Sequence, residues 1–386
     1  MDNFVFQNPT KIFFGDDSIK FLEPEIQKFG NNILLAYGGG SIKKNGLYDE
    51  VISILEKANK KVYEISGIMP NPRTHIVYKG IEIIKKNNID FILAVGGGSV
   101  IDAVKAMAAG AKIDKDFWET LYINKEPIKS AVPFGTILTL AGTGSEMNSG
   151  SVISNWEENI KTAYGSSHLF PQFSILNPRF TMTLPREQLV FGSVDILSHL
   201  FEQYFSLPND ANLTDDISEA IMKNVINNLK ISLDNPNDYN SRANLMWDAT
   251  MSLNGLTQLG KQTDWTSHQI EHALSAFTDI PHGAGLAIVH PNFMEYVYKN
   301  NPSKFAIFAK NVMNVGHDLN DVDAAKLGID TLKKFFKEIK APTTLKEVNI
   351  PKDLLEVIAK SIKPRKSPYA NIEVQDYINI LTKAYE

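Results

Sequence analysis

The chain has no cysteine. That excludes a disulfide framework, requires any metal site to do without thiolate, and makes a cytoplasmic home the expectation. Long apolar runs are also missing. No stretch approaches the ~20 residues that cross a bilayer, and the richest candidate, PFGTILTLAGTG, is broken by proline and glycine. The opening residues, MDNFVFQNPTKIFFG, contain no basic segment followed by an apolar one, so no secretory signal peptide is expected. Positive charge is not in excess: 39 Lys and Arg stand against 44 Asp and Glu, a net −5. Neither nucleic acid nor an anionic membrane is therefore an expected partner. There is no internal repeat, no low-complexity linker and no GxGxxG fingerprint.

At 386 residues the chain is long for one core and suggests two domains. The first half alternates short apolar runs with amphipathic stretches. NILLAY (32–37), KVYEIS (61–66) and FILAV (91–95) read as strands. The segments at 46–60, 75–88 and 99–111 read as the helices between and after them. Strand and helix in strict alternation predict an α/β domain with a parallel sheet and right-handed crossovers. Beyond about residue 185 the periodicity is helical throughout, as in REQLVFGSVDILSHLFEQYFS and DDISEAIMKNVINNLKISL. The expected organisation is a dinucleotide-binding α/β domain over 1–184 and an all-α metal-binding domain over 185–386, with Pro185 opening a helix.

Two glycine-rich turns follow predicted strands. In AVGGGSVIDAVKA (94–106) a strand ends, three glycines turn the chain and a helix begins near Ser99. Backbone N–H groups there can approach a pyrophosphate closely, helped by the positive end of the helix. A tight turn with no ligand is the plainer reading of the same residues. The turn LLAYGGGSIKKNG (34–46) lacks the carboxylate that usually reads the ribose hydroxyls of NAD. Small residues, a hydroxyl and the cations Lys43 and Lys44 favour NADP(H) over NAD(H). A third segment, GTILTLAGTGSEMNSGSVIS (135–154), offers hydroxyl and amide groups to a ribose or nicotinamide.

Asp195 and His199 lie four residues apart in a helical segment and so share a face. His268 and His272 repeat that spacing, and His282 follows Pro281 at a helix break. Nitrogen and oxygen ligands without sulfur suit Fe(II) or Zn(II). A divalent ion that polarises oxygen, beside a nicotinamide that carries hydride, describes an alcohol dehydrogenase. Trp265, Phe277, Met147 and Trp156 are candidates for an apolar substrate wall, and each is as readily a core residue.

These motifs together resemble the iron-containing (group III) alcohol dehydrogenase family, and its NADPH-dependent butanol dehydrogenase and aldehyde reductase branch in particular. The resemblance runs from NPTKIFFG through TLAGTGSEMNSGSVIS and DILSHLFEQY to WTSHQIEHALSA and PHGAGLAIVHP. It implies that Asp195, His199, His268 and His282 are the metal ligands, and that His272 lines the active site as a candidate proton relay. Gly97, Gly98 and Ser99 match the pyrophosphate turn, with Asp102 following on the helix. Thr139, Thr143, Asn148 and Lys161 match positions near ribose and nicotinamide, and Gly38, Gly39 and Ser41 match those that accommodate a 2′-phosphate. Phe180 stands where relatives carry a tyrosine near the nicotinamide. The implied reaction is reduction of short-chain aldehydes such as butanal in a homodimeric enzyme. An NAD-dependent polyol dehydrogenase, a metal-dependent lyase and a metallohydrolase are the alternatives.

Overall fold

The computed structural model describes all 386 residues. Contacts divide the chain into two units, Gln7–Leu184 and a second made of Met1–Phe6 with Pro185–Glu386. The six N-terminal residues were expected with the first unit. They belong to the second because the Met1 amine meets Asp210, the Asp2 N–H donates to the Gly260 carbonyl at 2.9 Å, and Gln262 Nε2 donates to Asp2 at 3.0 Å.

The first unit contains strands β1 (Lys11–Phe14), β2 (Asn32–Tyr37), β3 (Lys61–Ile65), β4 (Phe91–Gly96) and β5 (Phe134–Leu138). Strands β6 (Gly150–Asn155), β7 (Ile160–Gly165) and β8 (Phe173–Leu176) follow. Its helices are α1 (Leu22–Ile26), α2 (Ser41–Lys44), α3 (Leu47–Lys57), α4 (Thr74–Asn87) and α5 (Gly98–Gly110). Six strands form one parallel sheet in the order β1-β8-β5-β4-β2-β3. Residues 33–36 of β2 are fully buried, as both faces of a parallel sheet require. On one face Ile33, Leu35 and Tyr37 share a core cluster with Leu47, Val51 and Leu55, the inward stripe of α3. That helix carries Asp49 and Glu50 in its first turn and Lys57 in its last, which suits its dipole.

The topology places the ligand crevice. From β2 the chain crosses through α3 outward to β3, and from β4 it crosses through α5 the other way to β5. The switch point therefore lies beyond the carboxyl ends of β2 and β4, where open α/β sheets bind ligands. Both glycine turns leave the sheet there. The antiparallel β6–β7 hairpin lies outside this sheet.

The second unit contains α6 (Arg186–Tyr204), α7 (Asn212–Asp234), α8 (Tyr239–Ser252), α9 (Thr266–Thr278) and α10 (His282–Val297). It continues with α11 (Pro302–Asn311), α12 (Asp321–Glu338), α13 (Leu354–Ser361) and α14 (Val374–Tyr385). A two-residue antiparallel ladder, β9 (Arg365–Lys366) with β10 (Asn371–Ile372), departs from the purely helical expectation. It is too short to produce an alternating pattern. Helix α6 is buried on nearly every face from Leu189 to Tyr204, which marks it as the centre of the unit. Helix α10 comes so close to it that a Cβ on Gly283 would lie 2.1 Å from the Phe191 carbonyl oxygen. No helix of the chain is long and apolar enough to cross a membrane.

Candidate metal centre and nucleotide turns

The close approach at Gly283 brings His282, the first residue of α10, to the buried face of α6. Its Nε2 lies 3.5 Å from Asp195 Oδ1. On α6 itself, one turn on, His199 Nε2 lies 3.5 Å from the same oxygen. Ligating atoms of Asp195, His268 and His282 all fall within 4.8 Å of one another, and the His268 ring stacks on His199 at 5.0 Å. The four residues expected as ligands therefore converge from three helices. A separation of 3.5 Å is long for a hydrogen bond. Atoms at this separation could serve one divalent ion as nitrogen and oxygen ligands.

Two carboxylates behind the rings, not expected from the sequence, fix the tautomers. Glu202 Oε1 takes His268 Nδ1 at 2.9 Å and also the His268 backbone N–H at 2.8 Å, while Oε2 takes the Trp265 N–H at 2.9 Å. Glu271 pairs with His282 Nδ1 and with the Ser275 hydroxyl. A carboxylate on Nδ1 holds the proton there and leaves Nε2 as a lone pair aimed into the centre. Gly285 makes room for this, because a Cβ there would sit 2.8 Å from Glu271 Cγ. The spacing held a faint signal: Glu202 follows His199 by three residues and Glu271 follows His268 by three, so each shares a helical face with a ligand.

Whether this set suits a divalent metal is decided by its unpartnered atoms. Asp195 Oδ1 and His268 Nε2 are both buried without a hydrogen-bond partner. An anionic oxygen and nitrogen lone pairs facing one another in a dry site repel unless a cation lies between them. The set fits such an ion. Burial pulls the His199 imidazole down to about 4, against the opposite pull of Asp195, so it is neutral and able to ligate at pH 7. For Glu202, burial works to raise the carboxyl, but its His268 hydrogen bond and the nearby His290 outweigh that and hold it below its ordinary value.

Trp265 closes one side. Its backbone is left-handed at φ 71°, a costly state for a bulky residue. That turn places the indole 5.1 Å from the His268 ring and 6.2 Å from His199. His272, half-buried, lies 5.6 Å ring to ring from His282 and 6.3 Å from His268. Trp156, by contrast, lies exposed in the first unit with the Arg73 guanidinium 4.4 Å over its ring.

In the first unit, α5 starts at Gly98 with Gly97 as its N-cap and no side chain capping its first turn. The leading N–H groups, including that of Ser99, are therefore left for a ligand such as a pyrophosphate. Gly98 cannot carry a side chain, since a Cβ would lie 2.3 Å from Thr143. Thr143 thus belongs to the same turn, and Thr139 is tied to it by a 3.0 Å bond from its N–H to the Gly96 carbonyl. Asp102 faces inward: Oδ1 accepts the Ser145 hydroxyl at 2.6 Å and Oδ2 the Val152 N–H at 2.9 Å. Asn148 is similarly engaged with Gly144 and Gly150, and Lys161 Nζ donates to Asn71 at 3.0 Å.

Beneath them lies Lys105, which no motif in the sequence marks out. It is fully buried, and its ammonium donates to Ser145 Oγ at 2.8 Å, to the Asn148 carbonyl and Oδ1 at 2.9 Å each, and to the Gly150 carbonyl at 2.8 Å. Burial draws it down to about 8, opposed by Asp102 and Glu146. The 143–150 segment is thus pinned to α5 from below. At the other turn, Gly39 and Ser41 are exposed and Gly40 has φ 103°. A Cβ on Gly38 would sit 3.2 Å from the Ile68 carbonyl oxygen.

Comparison with known proteins follows the same division. A family model described as iron-containing alcohol dehydrogenase matches residues 9–178, and the corresponding C-terminal family model matches residues 189–385. A Bacillus subtilis (strain 168) protein named probable NADH-dependent butanol dehydrogenase 1 is 44% identical, with 99% of each chain covered. An NADPH-dependent aldehyde reductase of Escherichia coli (strain K12) is 37% identical, over 94% of this chain and 93% of that one. The crystal structure of NADH-dependent butanol dehydrogenase A from Thermotoga maritima superposes with a TM-score of 0.96 at 38% identity, covering 100% of this chain and 99% of that one.

Proposed function

Because this chain belongs to the iron-containing alcohol dehydrogenase family, we propose that it reduces short-chain aldehydes such as butanal to primary alcohols, reversibly, with a reduced nicotinamide and one divalent metal, Fe(II) or Zn(II). The observation that carries this reading is the pair of buried, unpartnered atoms Asp195 Oδ1 and His268 Nε2, close together in a site built from three imidazoles and one carboxylate. When bound, the ion supplies Lewis acidity to a carbonyl oxygen and the nicotinamide supplies hydride to the carbonyl carbon.

The side chains divide the remaining work. Asp195, His199, His268 and His282 would hold the ion. Glu202 and Glu271 keep the protons on Nδ1 of His268 and His282, so that Nε2 stays a lone pair. Trp265 lies beside two of these rings and would limit access of water to them. His272, whose ring nitrogen lies within 4.8 Å of ligand atoms of Glu271 and His282, would give a proton to the carbonyl oxygen as it becomes the alcohol. The balance is aldehyde, reduced nicotinamide and one proton to alcohol and oxidised nicotinamide. In the first unit, Gly97, Gly98 and Ser99 would offer N–H groups to a pyrophosphate, with Thr143 against Gly98, Thr139 tied to Gly96, and Asn148 joined to the Thr143 carbonyl; Lys161, bonded to Asn71, is assigned to the ribose and nicotinamide by the family resemblance. NADP(H), expected from the 38–41 turn, and NADH, which stands in the names of several relatives, both serve this step.

The test is initial-rate oxidation of NADH and NADPH with butanal, by protein reconstituted with Fe(II) or Zn(II) beside a chelated control. Metal-dependent turnover is expected, lost together with bound metal in Asp195→Ala. Equal turnover by the chelated control would refute the metal's role.

A further inference from the structure

The relatives divide over the cofactor, and in the sequence Lys43 and Lys44, beside a strand end that lacks a carboxylate, favour NADP(H). The fold supplies the missing carboxylate from the neighbouring strand. Glu64 lies near the carboxyl end of β3, the partner of β2. Its two oxygens accept the Tyr37 hydroxyl at 2.7 Å and the Tyr48 hydroxyl at 2.9 Å. Tyr37 is the last residue of β2 and directly precedes Gly38. The segment after β3 is tied to the turn, with the Gly67 N–H on the Gly38 carbonyl at 3.1 Å. Lys43 lies over the same two rings, its ammonium 4.3 Å from the Tyr48 centroid and 5.2 Å from that of Tyr37.

One carboxylate, two phenols and one ammonium thus form a single cluster at the switch point. The phenols donate to Glu64 and present their π faces to Lys43, which steadies that cation in place. Glu64 offsets its charge. A 2′-phosphate brings nearly two negative charges and needs a cation that nothing nearby neutralises, whereas a ribose 2′-hydroxyl needs only hydrogen-bond partners. We infer that Glu64, positioned by Tyr37 and Tyr48, sets the cofactor choice toward NADH, by offsetting the charge of Lys43 across the shared phenols and by repelling a 2′-phosphate from the 38–41 turn. This rests on the proposed nicotinamide-dependent reaction.

The experiment separates the two claims by using ligands that need neither metal nor turnover. Calorimetric titration of the full chain with 5′-AMP and with adenosine 2′,5′-bisphosphate is compared for the wild type and Glu64→Gln, whose side chain is exposed and whose fold is not at risk. The wild type should bind 5′-AMP more tightly. Glu64→Gln should tighten the bisphosphate by about tenfold, the effect of one nearby unit charge at a protein surface, and leave 5′-AMP almost unchanged. The ratio of kcat/KM for NADPH over NADH with butanal should rise by the same factor, and less at high salt. A wild type that prefers the bisphosphate overturns the inference, as does a Glu64→Gln ratio that does not move. If the wild type binds neither ligand, the nucleotide reading itself fails and the inference falls with it. If it binds both and only the Glu64→Gln shift is absent, the reading stands and the selection alone is wrong.

Discussion

Asp195 and His199 could be read from the sequence because one helix turn carries both, and the spacing alone aligns them. Their supports could not. A glutamate three residues after a histidine on a helix is ordinary, and only the folded chain turns Glu202 toward His268 and Glu271 toward His282. Removing such a support tests what it contributes. Glu202→Gln and Glu271→Gln should each keep the fold and weaken metal binding by about 10- to 100-fold, read by competition with a chromophoric chelator. Unchanged affinity would show that the carboxylates are packing only. His272→Ala should retain the metal and lower the rate; loss of metal from that variant would make His272 a ligand. Lys43 shows the opposite limit. Its charge was visible in the sequence, but its engagement by rings from β2 and α3 was not, because those contacts join residues far apart in the chain.

The strands and helices around the nucleotide turns followed from apolar periodicity, and β2 spans the residues its pattern marked. The β6–β7 hairpin escaped notice because its connection, Trp156–Asn159, has no Asn-Gly or Asp-Gly pair and uses Asn159 at φ 53° instead. The crossing of α6 and α10 depends on a missing side chain. Gly283→Ala would set a Cβ against the Phe191 backbone, which cannot yield as a flexible side chain would. About 1–3 kcal/mol of stability should be lost to overpacking, with metal affinity falling as His282 moves from Asp195. Denaturant midpoints and metal titration read these separately, and a shift in neither would contradict the crossing as described. On the nucleotide side, Lys105→Met leaves buried acceptors at Ser145, Asn148 and Gly150 without their donor. It should cost about 3 kcal/mol and weaken 5′-AMP binding by loosening the 143–150 segment.

For the molecule as a whole, the proposed function assigns the two units different ligands, so metal should raise the unfolding temperature of the helical unit and nucleotide that of the α/β unit. The helical unit also has a built-in pH dependence. Burial holds His290 down at about 4, against Glu202, while in the unfolded chain it titrates near its ordinary 6.5. Between these values the unfolded state binds the extra proton. Stability is therefore full above about pH 6.5 and lost as pH falls toward 4. Metal-free wild type should lose more melting temperature between pH 7.5 and 5 than His290→Gln does, and equal losses would contradict the assignment. The central claim is hydride transfer from a nicotinamide to a carbonyl at the Asp195–His199–His268–His282 centre. Its most direct test is mass spectrometry of the butanol made from butanal and NADH deuterated at both C4 positions. Metal-loaded wild type should yield alcohol with one deuterium on C1, and Asp195→Ala should yield none. Unlabelled butanol from the wild type, or labelled butanol from metal-free protein, would contradict it.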